Sequence, residues 1–169
     1  CLSSSMLTVL VIDESRSRAG EICAGLALAG YQVAAILAGS ENLTAEVEKL
    51  QPDVILIDTD SPSRDTLEHL AAMNKDMPRP VVIFTQEDGQ ATIRDAVKAG
   101  VSAYIVDGLD PKRIKPIVEV ARARFEDTQA LRRELDEISQ KLSDRKLVDK
   151  AKGVLMKARG LDEDAAYHA

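Results

Sequence analysis

The chain has 169 residues, a formal net charge of −6, 45% hydrophobic residues and no tryptophan. That length allows one full domain plus a smaller piece, built on an aliphatic core. The acidic balance excludes a surface that coats nucleic acid uniformly, although it leaves room for a local basic patch. Two cysteines, Cys1 and Cys23, form neither a disulfide framework nor a zinc spacing, which points to a reducing cytoplasm. No apolar run reaches membrane-spanning length, so no membrane partner is expected.

In chain order, residues 1–6 read as a leader to be set aside, with Met6 as the natural start. Five short apolar runs follow: Leu7–Ile12, Val33–Leu37, Val54–Ile57, Val81–Phe84 and Ala103–Val106. Their unbroken apolar character suits strands covered on both faces. Amphipathic stretches alternate with them. Ser15 is a candidate cap for the first helix and Gly30 follows its end; Gly100 closes the fourth; Asp110-Pro111 opens the fifth with proline in the first helical position. This alternation predicts an α/β fold, a doubly wound five-stranded parallel sheet.

Two of the runs end in carboxylates. Asp13-Glu14 closes the first and Asp58 the third, at the C-terminal edge of the sheet where open α/β folds bind ligands. Such a cluster can hold a hard divalent cation through oxygen ligands and offer a carboxylate nucleophile to a phosphoryl donor.

The fifth helix has no early stop. From Pro111 to about Leu142 there is no glycine and only one further proline, Pro116. Ile114, Ile117 and Ala121, then Leu131, Leu135, Ile138 and Leu142, recur in three- and four-residue steps, with Arg124 and Thr128 in the same seam. Two arrangements suit that stripe: a coiled coil with a second copy of the chain, or a helix folded back on its own sheet. A final segment is expected to begin after Ser143-Asp144. On a helical wheel Leu147, Ala151, Val154, Leu155 and Ala158 share one face, while Lys146, Lys150 and Lys157 lie nearly opposite, and Lys152 and Arg159 flank the apolar face. Lysines on a rigid helix suit phosphate contacts; a solvated amphipathic helix has the same pattern. Gly160 is a natural stop, Asp162 a candidate cap for another helix, and the abrupt end at Ala169 suggests a missing C-terminal portion.

Asp13-Glu14, Asp58, Thr85 and Tyr104, with their spacing, resemble the receiver domain of two-component response regulators over about Leu7 to Arg122. The resemblance implies Asp58 as phosphoacceptor, and Asp13, Glu14, Asp58 and the Asp60 backbone carbonyl as magnesium ligands. It also implies Thr85 as the phosphoryl-binding hydroxyl and Tyr104 as the switch aromatic. The family carries a lysine three residues after that aromatic, where this chain has Asp107. An aspartate there repels the other carboxylates. The pocket then needs a metal more strongly, protonates one carboxylate, or turns Asp107 away at Gly108. The expectation is a phosphoryl switch that is weakened or unused.

Ala151-Lys152-Gly153-Val154-Leu155-Met156, followed by Gly160-Leu161-Asp162-Glu163-Asp164-Ala165-Ala166-Tyr167, resembles the start of an ANTAR domain, an RNA-binding three-helix module. The resemblance implies RNA hairpins in nascent transcripts as partners, with Lys146, Lys150, Lys152, Lys157 and Arg159 contacting phosphates and Tyr167 or the missing region contacting bases. The stretch Tyr104–Asp110 is similar to the nitrate/nitrite (NasT-like) antiterminators, which implies a nitrate-sensor protein that sequesters the regulator. The expected organisation is a leader at 1–6, a receiver at 7–122, a coiled-coil linker at 123–145 that makes a homodimer, and the first part of an ANTAR module at 146–169. Three competing readings are a duplex-DNA-binding regulator governed by a sensor histidine kinase, a phosphoryl-transfer enzyme built on Asp58, and a stand-alone receiver acting by protein contact. The enzyme lacks a visible cap or phosphate-cradling loop, so no enzyme activity is expected. His69 reads as a surface residue remote from the acidic strand ends.

Overall fold

The structure, a computed structural model, describes residues 6–14, 19–106 and 110–158, without the side chains of residues 19 and 146–158. The chain divides into two units, residues 1–126 and 127–169.

In the first unit, strands β1 (Thr8–Asp13), β2 (Gln32–Leu37), β3 (Val54–Asp58), β4 (Val81–Thr85) and β5 (Ala103–Val106) form one sheet. All neighbours are parallel and the order is β2-β1-β3-β4-β5. Helices α1 (Ala19–Leu28), α2 (Leu43–Leu50), α3 (Arg64–Asp76), α4 (Gln90–Lys98) and α5 (Ile114–Ala158) alternate with the strands.

The three central strands are apolar on both sides because both sides are covered. Leu10, Ile12, Ile55, Ile57 and Ile83 pack with Leu43, Val47, Leu70 and Met73 of α2 and α3. The alternate residues Val9, Val11, Leu56, Val82 and Phe84 pack with Ile22 and Leu26 of α1 and with Ile114, Val118 and Ala121 of α5. Each fully buried aliphatic side chain contributes about 1.5–3 kcal/mol.

Local chemistry sets the helix ends. Ser63 caps α3, its hydroxyl accepting from the Thr66 backbone N–H at 3.0 Å. Gly100 closes α4 at φ +100°, a left-handed conformation that favours glycine. The Asp110 carboxylate accepts from the Lys112 N–H at 3.0 Å. Pro111–Arg113 then form a 3-10 turn before α5, so the opening is tighter than the α-helical start expected from Pro111. At Gly25 a Cβ would come within 2.4 Å of Ile114 Cδ1 and 3.0 Å of Pro111 Cα. Glycine there lets α1 approach the start of α5.

Helix α5 runs 45 residues without interruption and passes through Ser143-Asp144. Both residues are helical, and neither polar side chain overrides the helix-forming residues around it. Ser15, Asp107 and Gly108 lie outside the described residues, as does everything after Ala158.

Candidate functional site

Parallel pairing of β1 with β3 places Asp13 opposite Asp58 in register. Asp13 is 4% exposed and Asp58 is fully buried, so the strand ends bring two carboxylates together in a desolvated place. The Glu14 backbone N–H donates to the Asp58 carbonyl at 2.9 Å, extending the ladder one residue past β1.

Glu14 itself goes elsewhere. Its carboxylate oxygens lie 3.4 and 3.5 Å from the Thr66 hydroxyl on α3. Partial burial raises its pKa, the Thr66 hydrogen bond opposes that shift, and Glu41 adds to it. In this structure the Thr66 hydroxyl holds the Glu14 carboxylate at α3. Among the described residues no three Asp, Glu, His or Cys side chains are grouped to hold a metal.

Thr85, 2% exposed at the end of β4, donates its hydroxyl to the Asp60 carbonyl at 2.9 Å. The Gln86 N–H reaches the same carbonyl at 3.3 Å. The Asp60 oxygen expected to face a cation is engaged by two donors. Tyr104, on β5, donates its hydroxyl to the Glu87 carbonyl at 2.8 Å. Burial first, then the Glu87 charge, raises the pKa of its phenol. The five positions Asp13, Asp58, Asp60, Thr85 and Tyr104 therefore lie along one sheet edge, spread over β1, β3, β4 and β5 and the loops that follow. A hard cation such as magnesium is commonly bound through one or two carboxylates with several waters retained, and the buried Asp13–Asp58 pair fits that requirement.

Two features were not legible in sequence. Glu87 joins the β3–α3 and β4–α4 loops: its Oε1 accepts from Ser61 Oγ at 3.3 Å, its Oε2 accepts from the Gly89 N–H at 2.9 Å, and its own N–H donates to Thr85 Oγ1 at 3.2 Å. His69 is also less isolated than its position suggests, which corrects the surface reading. Its Nδ1 lies 2.8 Å from the Ser40 hydroxyl, and Ser40 lies 3.4 Å from Thr66, the residue facing Glu14. Both hydroxyls are buried, and only the fold brings residues 40 and 66 together.

Lys146, Lys150, Lys152 and Lys157 fall in the helical backbone of α5, and Arg159 lies outside the described residues. In the same unit Leu131, Leu135, Ile138 and Leu142 are 60, 62, 53 and 51% exposed.

Residues 9–119 match the response regulator receiver domain, and residues 136–169 match the ANTAR domain. The chain belongs to the response regulator receiver family. It is 28% identical over 138 residues to the transcriptional regulatory protein PdtaR of Mycobacterium tuberculosis, covering 82% of this chain and 67% of that protein. It is 30% identical over 122 residues to the DNA-binding response regulator MtrA of Mycolicibacterium smegmatis, covering 72% of this chain and 53% of MtrA. Among solved structures, a CheY-like receiver from Methanospirillum hungatei superposes with a TM-score of 0.63 at 20% identity, covering 73% of this chain and 99% of that one. A receiver domain of a diguanylate cyclase from Desulfovibrio desulfuricans gives 0.64 at 20% identity, covering 72% and 98%. These two likenesses establish the fold. A receiver joined to an ANTAR segment makes this a regulator and not an enzyme.

Proposed function

We propose that this regulator is a cytoplasmic transcription antiterminator whose ANTAR segment binds RNA hairpins in nascent leader transcripts. The observation that carries the reading is the ANTAR match over residues 136–169, which includes the basic positions Lys146, Lys150, Lys152, Lys157 and Arg159. Phosphate neutralisation by lysines gives affinity that falls with salt. Binding of the full-length protein to an RNA hairpin and to duplex DNA of the same length, across a salt series, tests it. Preference for the hairpin supports the reading. In that assay Lys152→Ala should weaken hairpin binding and reduce the salt slope by about 1. Tight duplex binding instead favours the second reading, a DNA-binding regulator, which the likeness to MtrA supports.

The exposed Leu131, Leu135, Ile138 and Leu142 follow a 4-3-4 spacing, the seam of a coiled coil, and a second copy of the chain is the proposed partner. At the sheet edge Asp58 is the proposed phosphoacceptor. A carboxylate oxygen attacks phosphorus and the donor's leaving group departs with the bonding electrons. Asp13 and Asp58 would hold magnesium, which neutralises charge on the phosphoryl group when bound. Glu14 and the Asp60 carbonyl complete the proposed ligand set on leaving Thr66 and Thr85, and Thr85 then meets the phosphoryl oxygens.

Asp107 replaces the family's lysine, so modification of Asp58 is proposed to be weak or unused. Incubation with a small phosphodonor and magnesium, read by intact mass, should give only partial modification of Asp58. Nitrate/nitrite assimilation genes are the proposed targets and a nitrate-sensor protein the proposed sequestering partner, supported by the Tyr104–Asp110 likeness. Capture of a sensor histidine kinase that phosphorylates the chain efficiently would overturn that assignment.

A further inference from the structure

We propose that a cleft at the N-terminal edge of the sheet binds a small, flat carboxylate, an input separate from the acidic edge. Asp53 immediately precedes β3 and Pro80 immediately precedes β4, so this edge lies opposite the Asp13–Asp58 pair. The cleft holds about 420 Å³, within the range of roughly 300–1,000 Å³ typical of small-ligand sites. Arg79 lines it, with its guanidinium fixed by three bonds. The Nε donates to the Pro52 carbonyl at 2.7 Å, one terminal nitrogen to the Pro78 carbonyl at 3.0 Å, and the other to Gln51 Oε1 at 2.9 Å. All three acceptors are neutral, and none of the ion pairs among the described residues includes Arg79. Its charge is therefore not offset by a bonded carboxylate. Of the five N–H groups of a guanidinium, two remain here, one on each terminal nitrogen.

A planar fork that is already fixed loses little freedom when it takes up a carboxylate. Arg122, its side chain 31% exposed, brings a second guanidinium to the cleft. It uses one terminal nitrogen on Glu119, at 3.2 Å from each carboxylate oxygen. Half-buried Phe125 supplies an aromatic ring, and Pro52 and Pro80 are buried, rigid walls. The other charged lining residues are Asp53 and Glu126, so two cations meet two anions and the cleft carries no formal net charge. Asp53 is engaged at its Oδ2, which accepts from the Thr8 N–H at 2.9 Å and the Thr8 hydroxyl at 3.3 Å. That balance suits a ligand with one negative charge and an apolar body. It disfavours a dianion or a nucleic-acid backbone, whose binding depends on an excess of positive charge. Tying together the loops before β3 and β4 accounts for the three Arg79 bonds. It does not call for an aromatic ring and a second guanidinium beside a cleft of this size.

Benzoate is the probe. Benzamide serves as its uncharged counterpart, acetate as a carboxylate without a ring, and inorganic phosphate as a dianion. Each is titrated near neutral pH into the isotope-labelled full chain, and the backbone amide resonances of Arg79, Arg122 and Phe125 are followed. Benzoate should shift them saturably, with a dissociation constant on the order of 1 mM. The other three should bind at least about ten-fold more weakly, because each lacks the single charge or the ring. Arg122→Gln should weaken benzoate about ten-fold, and Phe125→Ala about five-fold. Arg79→Lys, which keeps the charge but not the fork, should weaken it about ten-fold as well. Amide resonances of the central strands, unchanged from wild type, identify the variants that keep the fold. Absence of saturable benzoate shifts at these residues overturns the assignment, as does equal affinity for any of the other three probes. Unchanged benzoate affinity in both Arg122→Gln and Phe125→Ala overturns it too. Displacement of benzoate by an RNA hairpin would assign the cleft to nucleic acid and overturn it in the same way.

Discussion

Helix α5 has two stretches with the same kind of apolar spacing and opposite surroundings. Ile114, Val118 and Ala121 are fully buried against β1, β3, β4 and α1. Leu131, Leu135, Ile138 and Leu142 are each more than half exposed. Periodicity reports that a helix has an apolar face; it does not report what covers that face. In the first stretch the cover is the chain's own sheet. In the second the proposed cover is another chain.

That contrast can be broken by substitution. Ile114→Ala should cost about 2–5 kcal/mol of receiver stability, because it empties a closed core site; urea unfolding of the chain measures this. Gly25→Val should cost about 1–3 kcal/mol in the same assay, by forcing the start of α5 off α1. Leu135→Ala should change receiver unfolding by less than about 0.5 kcal/mol, as exposed substitutions do, yet shift the chain toward monomer in sedimentation. A receiver destabilised as much by Leu135→Ala as by Ile114→Ala would erase the distinction between the two stretches.

A further effect concerns the buried stretch alone. Tyr31 donates its hydroxyl to Glu119 Oε2 at 2.7 Å, tying the start of β2 to α5. That bond, then Arg122 and Lys115, holds the Glu119 carboxyl below its usual value, against an opposing push from burial. A lowered folded-state pKa gives stability that is fully present above about pH 4.5, the ordinary value, and is lost as pH falls through the folded value. Tyr31→Phe should therefore lower stability by about 1 kcal/mol near neutral pH, with the difference shrinking in acid; unfolding at several pH values checks it. A difference that grows on acidification would refute the assignment.

Much of this architecture is legible in the residues themselves. The apolar runs of β1, β3 and β4 name strands covered on both faces, and the structure places them at the centre of the sheet. Gly30 and Gly100 mark turns, and both adopt positive φ. At the site, the pairing of Asp13 with Asp58 is foreseeable because carboxylates that end adjacent parallel strands meet at one edge. The placement of Glu14 is not, since it depends on Thr66, fifty-two positions later. The bonds of Glu87 are likewise invisible in sequence, where it is one more acidic loop residue; only the fold brings it to residues 61, 85, 89 and 104. Helix α5 passes through Ser143-Asp144 without a break because the surrounding turns supply enough cooperative helix to carry those polar residues.

The register of β1 on β3 has a consequence for how the site can fail. The distance between the Asp13 and Asp58 backbones is a property of the ladder, and neither carboxylate fixes it alone. Inserting one residue inside β1 would carry Ile12 to the rim and turn the shifted side chains to the wrong layer. Charge pair and hydrophobic interior would then be lost in one stroke, with both aspartates still present in the gene product.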